Sequence, residues 1–122
     1  MQEIIESYIA AWNETDPGRR RELIASFWAA DGSYTDPLAD VRGRDGFDAV
    51  IAAAQGQFPG WEFRLAGPVD AHHQQGRFSW HLGPDLAGGA EPVVIGFDVA
   101  VLDEAGKIRS VHGFLDKVPA AA

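Results

Sequence analysis

Between Val93 and Leu102 the chain carries one charge in an otherwise apolar run. The odd positions are Val93, Ile95, Phe97, Val99 and Val101, and the even positions are Val94, Gly96, Asp98, Ala100 and Leu102. In a strand successive side chains point to opposite faces, so Asp98 shares its face with the small residues Gly96 and Ala100. With that face inward, Gly96 and Ala100 leave space beside a carboxyl group. An enclosed carboxylate is costly unless it is hydrogen-bonded or neutral, and burial raises its pKa. A neutral Asp98 is then a hydrogen-bond donor in an apolar cavity. In the opposite register Asp98 simply meets solvent.

Asp36 is a second acid with two readings. It follows Tyr34 at the spacing that puts both side chains on one strand face, and Pro37 stops the strand directly after it. At a cavity mouth such a carboxylate stays ionised and serves as a base. As Asp before Pro it is also an ordinary turn starter. Tyr8 is the third candidate. It lies on an apolar helical stripe, so its ring is expected inside, where the hydroxyl needs a partner; a core tyrosine bonded to backbone satisfies the same pattern.

The elements that must position these groups follow from periodicity. Ile4, Tyr8, Ala11 and Trp12, widened by Ile5 and Ile9, predict a helix over 2–14. Asp16 caps a second helix with Pro17 in its first turn; Leu23, Ile24, Phe27 and Trp28 face inward and the helix runs to about Ala30, ended by Asp31-Gly32. Ser33–Asp36 is a short strand, and a polar loop follows through Asp45. Phe47, Val50, Ile51 and Ala54 predict a third helix over 46–57, closed by Pro59-Gly60. Strands are expected at 61–71, 74–83, 93–103 and 107–118, and a frayed tail at Ala120–Ala122. Along 74–83 the phase with Phe78, Trp80 and Leu82 inward is preferred to the phase with Arg77, Ser79 and His81 inward. Three helices and a four-strand meander predict an α+β domain spanning 1–122, with helices covering one face of a curved sheet. The odd positions of the 93–103 strand then form an exposed apolar patch, which predicts a homodimer through the outer sheet face.

Bulk properties narrow the chemistry. The chain has 122 residues, no cysteine and a formal net charge of −8. Disulfides and thiolate metal sites are excluded, and the negative charge disfavours nucleic acid and anionic membrane partners. No apolar run approaches the ~20 residues of a membrane span. Met1–Glu6 lacks the basic start and apolar block of a secretory signal, so a cytoplasmic location is expected. There is no glycine-rich phosphate loop and no nucleophile elbow. His72 and His73 are adjacent, and in a strand they point to opposite faces and cannot chelate one metal. His81 and His112 stand without carboxylates at ligand spacing, so no metal and no cofactor are expected. General acid–base chemistry on a sheltered small molecule remains.

Three stretches carry a family resemblance: Tyr8–Asn13, Phe27–Pro37, and Phe97-Asp98 through Ala105–Ile108. They resemble the SnoaL-like polyketide cyclases and ketosteroid isomerases of the nuclear-transport-factor-2-like superfamily. The resemblance implies a cone-shaped (cystatin-like) fold, three helices on a curved, mainly antiparallel sheet, with an internal pocket. It also implies roles. In the isomerases a tyrosine on the first helix and a protonated aspartate on the penultimate strand form an oxyanion hole, and an aspartate before a proline shuttles the proton. Tyr8, Asp98 and Asp36 fall on those positions. Ile51 stands near where the isomerases often carry a further tyrosine. The expected lining is Trp12, Trp28, Trp61 and Trp80, together with Tyr34, Ile51, Phe78 and Leu115. The implied function is a cofactor-independent isomerase or cyclase acting on a carbonyl-containing apolar or aromatic molecule; the alternative is a non-catalytic ligand-binding or dimerisation module of the same fold.

Overall fold

A computed structural model describes residues 1–119; the tail expected at Ala120–Ala122 lies outside the described residues. The elements run α1 (Gln2–Asn13), α2 (Pro17–Phe27), β1 (Trp28–Asp36), β2 (Ala39–Arg42), α3 (Gly43–Gln57), β3 (Glu62–His72), β4 (Gln75–Gly83), β5 (Val94–Leu102) and β6 (Ile108–Lys117). The strands form one sheet in the order β2-β1-β6-β5-β4-β3. β1 and β6 are parallel and every other pair is antiparallel. The fold is three helices on a six-stranded, curved, mostly antiparallel sheet.

Two expectations are corrected. α2 ends at Phe27, where Trp28 turns extended at φ −100 and ψ 129. Residues 28–30 belong to β1, because Trp28 pairs with Ile108 and a register shift separates that pair from Ser33 and Ser110. The loop after Pro37 contains β2, pairing with β1 from Ser33↔Arg42 to Asp36↔Ala39. Charged Asp40 and Arg42 on a four-residue edge strand hide its alternation, and charge is the usual protection of such an edge.

The helices are held by one polar clamp and a large aromatic core. Asp16 caps α2 by accepting from the Arg19 backbone N–H at 2.8 Å. Arg20 on α2 is 5% exposed; its Nε donates to Asp48 on α3 at 2.6 Å and its guanidinium to Gln55 at 3.0 Å. The Gln55 amide in turn donates to the Trp12 and Glu14 carbonyls. Below the clamp, Trp28 stacks on Phe47 with ring centroids 4.0 Å apart, and Tyr8 stacks on Phe47 at 5.7 Å. No helix among the described residues is long and apolar enough to cross a membrane.

Candidate active site

A cavity of about 590 Å³ opens between α1, α3 and the inner face of the sheet. Its deep end is made by the two most buried polar side chains of the site. Tyr8 from α1 is 1% exposed and Asp98 from β5 is 2% exposed. The Tyr8 hydroxyl donates to Asp98 Oδ2 at 3.0 Å. Asp98 therefore faces inward with the even positions of β5, as its alternation with Val94 and Ala100 requires.

Two glycines make room for this arrangement. Gly113 on β6 lies directly across from Asp98. A side chain there would begin 2.9 Å from Asp98 Oδ1 and 3.3 Å from Asp36 Cβ, so the two carboxyl-bearing residues flank one empty backbone position. Gly96 does not leave cavity space. The Trp80 indole lies over it, where any side chain at Gly96 would collide with the ring.

Asp36 lines the same cavity and also holds the turn that follows it. Its Oδ1 accepts the backbone N–H groups of Leu38 and Ala39 at 2.7 and 2.8 Å, which fixes the β1–β2 turn. Its Oδ2 accepts the Tyr34 hydroxyl at 2.7 Å, so the same-face spacing of Tyr34 and Asp36 ends in a hydrogen bond. Three donors and no acceptor suit the carboxylate form. Oδ2, with one bond, keeps a lone pair for a proton.

Burial dominates the electrostatics of the deep end. Burial pushes Asp98 up to about 7 from an ordinary value of 3.8; donation from Trp80 and Tyr8 opposes this, and the charge of Asp36 adds to it. Burial also raises Tyr8 well above a normal phenol, with the Asp98 charge next in size. Tyr34 is raised by burial first, then by Asp98 and Asp36. Both phenols are thus kept as donors. Burial likewise favours the protonated form of Asp98, and the Tyr8 hydroxyl hydrogen is directed at Asp98 Oδ2.

The expected lining divides. Trp12, Tyr34, Trp80 and Leu115 line the cavity. Trp28, Ile51 and Phe78 do not: all three are at most 2% exposed and fill the core behind it. Phe78 supports Tyr8 edge-on at 5.7 Å. Trp61 stacks on Phe58 at 4.7 Å and faces a separate shallow depression. Phe63 is a wall residue that sequence reasoning missed. Asn13 holds it there by pairing both of its amide atoms with the Phe63 backbone, each at 2.8 Å; no pattern in the chain signals that bracket. Leu38 and Val118, 82% and 57% exposed, stand at the mouth. His73 leaves the strand at φ 55, so its Nδ1 lies 3.1 Å from His72 Nδ1 rather than on the opposite face. Among the described residues no three metal-ligating side chains converge.

Three helices on a curved sheet, with an acid and a phenol at the buried end of an apolar cavity, make up the frame of the site. The chain belongs to the SnoaL-like domain family, whose model matches residues 5–111. It is similar to a crystal structure from Agrobacterium tumefaciens described as a candidate isomerase of the SnoaL-like family, with 45% identity, a TM-score of 0.86, and 93% and 95% of the two chains covered. It shares its fold with a protein of ketosteroid isomerase-like fold from Catenulispora acidiphila solved in complex with trimethylamine, at 20% identity and TM-score 0.72 over 91% and 83% of the chains. An NTF2-like protein from Exiguobacterium gives 19% identity and TM-score 0.73 over 93% and 98%. No curated protein matches the chain in sequence.

Proposed function

We propose that the chain is a cofactor-independent acid–base enzyme that moves a proton next to a carbonyl group of an apolar molecule. The observation carrying this reading is the Tyr8–Asp98 pair at the deep end of a cavity that Asp36 also lines. A carbonyl oxygen reaching that end accepts from protonated Asp98 and from the Tyr8 hydroxyl once it turns from Asp98 Oδ2 to the ligand. Asp36 takes a proton from the adjacent carbon through Oδ2, negative charge develops on the oxygen, and the two donors stabilise it. The proton then returns to another carbon of the conjugated system, which is an isomerisation; attack of the enolate on a second carbonyl is a ring closure. Donors fixed in a dry site commonly supply the largest share of such a rate enhancement.

A second reading, a non-catalytic ligand-binding module, draws on the structural relative solved with trimethylamine. The two readings separate in one experiment. Cyclic β,γ- and α,β-enones are incubated with the protein in deuterated buffer, and exchange beside the carbonyl is followed by NMR. The enzyme reading expects catalysed exchange that Asp36→Asn abolishes, with at least ~100-fold loss, the usual scale for a general base. Asp98→Asn should keep a substantial part, because an amide still donates. Enones that bind without any exchange favour the binding module.

The same proposal includes a homodimer through the outer sheet face. Its support is the partial exposure of Ile95, Phe97, Val99 and Val101 on β5, and the pairing of Phe97 with Phe114, which is 57% exposed.

A further inference from the structure

Beyond the roles of Asp36 and Asp98 toward a carbonyl, the cavity carries ionisable acids of one sign only. Its lining contains two carboxyl groups, Asp36 and Asp98, and no lysine, arginine or histidine among the described residues. A belt of aromatic rings lines the cavity wall beside those carboxyl groups. It starts at Tyr34, bonded to Asp36. Tyr34 and Trp12 have centroids 5.7 Å apart, Trp12 and Phe63 5.2 Å, and Phe63 and Trp80 5.6 Å. It ends at Trp80, whose indole lies over Gly96, two residues from Asp98 on β5. Aromatic faces attract organic cations, most strongly where water is excluded, and uncompensated carboxylates do the same while opposing anions.

We propose that this cavity is a site for apolar organic cations, a tertiary or quaternary ammonium whose charge sits between Asp36 and Asp98 and whose alkyl groups lie against the Tyr34–Trp12–Phe63–Trp80 belt. The proposal rests on the reading of this cavity as the ligand site and not on the reading that it catalyses a reaction. It implies a pH dependence opposite to that of a carbonyl or phenol ligand. A cation favours ionised Asp98, whereas an oxyanion-like ligand needs the protonated form. The groups facing Asp98 are Tyr8 from α1, Tyr34 and Asp36 from β1, and Trp80 from β4; β6 brings only Gly113 and Leu115, and α3 only the neutral Gln57 at the rim.

The test compares benzyltrimethylammonium, its neutral carbon isostere neopentylbenzene, phenylacetate, and 2-naphthol, with binding followed by the tryptophan indole NMR signals. At pH 8.5 the cation should bind about ten-fold more tightly than the isostere, the scale of a desolvated cation–aromatic contact, and phenylacetate should not bind. Cation affinity should rise from pH 5.5 to 8.5, while 2-naphthol affinity falls over the same range. Ala53→Lys, at an exposed α3 position on the cavity rim, should weaken the cation several-fold more than it weakens neopentylbenzene. A cation that binds no better than its isostere, or with no pH dependence, overturns the proposal even if 2-naphthol binds. If neither binds, the reading of the cavity as a ligand site falls with it.

Discussion

Asp98 combines near-complete burial, one phenol donor and a neighbouring carboxylate, and its protonation is therefore coupled to stability. With the folded value pushed up to about 7, the folded state holds a proton that the unfolded chain has already released at neutral pH. Stability is highest below the unfolded value, declines as pH rises through the window up to about 7, and levels off above it. An elevation of that size corresponds to at most about 4 kcal/mol. Asp98→Asn removes the titration while keeping size and a donor. Urea melts at pH 4 and pH 8 should show the variant gaining on the parent with rising pH, by a few kcal/mol; an advantage that shrinks with pH would indicate an ionised, paired carboxylate. Asp98 was legible because it is the one charge in an alternating apolar strand. Gly113 was not, because its significance comes only from the β5–β6 register that sets it opposite Asp98. Trp28 and Phe78 were expected on the cavity wall because aromatic character in sequence does not distinguish a wall from the layer behind it.

At the scale of elements, the helices are joined by a device that hydrophobic periodicity does not reveal. Arg20 lies in the polar stretch Pro17–Glu22, yet it is buried and bonded to Asp48, Gln55 and the Glu14 carbonyl. Removing one partner of a buried pair leaves the other uncompensated, at a cost of about 3 kcal/mol. Arg20→Ala should lose about that much in denaturant melts, and Arg20→Met with Asp48→Ala should recover part of it. A loss below about 1 kcal/mol would mean that the pair behaves as an exposed one. The third helix and the four later strands were legible to within a few residues, since each carries a clear period bounded by Pro, Gly or Asp. The α2–β1 junction was not: Leu23, Ile24, Phe27 and Trp28 fit one helical face, and only the parallel partner β6 draws Trp28 into the sheet. β2 was missed because four residues with two charges give too short a pattern.

At the scale of the whole molecule, the sheet has one face on the core and one facing outward, and β5 is apolar on both. An apolar outer face of this kind is seldom left to water. Phe97→Asp places a charge at the centre of that patch and across from Phe114. Equilibrium sedimentation should find the parent dimeric at micromolar concentration and the variant monomeric; a monomeric parent contradicts the proposed interface. The same β5 strand presents Asp98 inward, so the outer surface and the cavity share one scaffold. The oxyanion reading requires Asp98 to be neutral while Tyr8 donates beside it. The carboxyl carbon of Asp98, followed by 13C NMR from pH 3 to pH 9 and assigned with Asp98→Asn, reports this directly. Its midpoint should fall at about 7; a midpoint in the ordinary aspartate range near 4 would mean a charged Asp98, and the deep end of the cavity would lose its acidic donor.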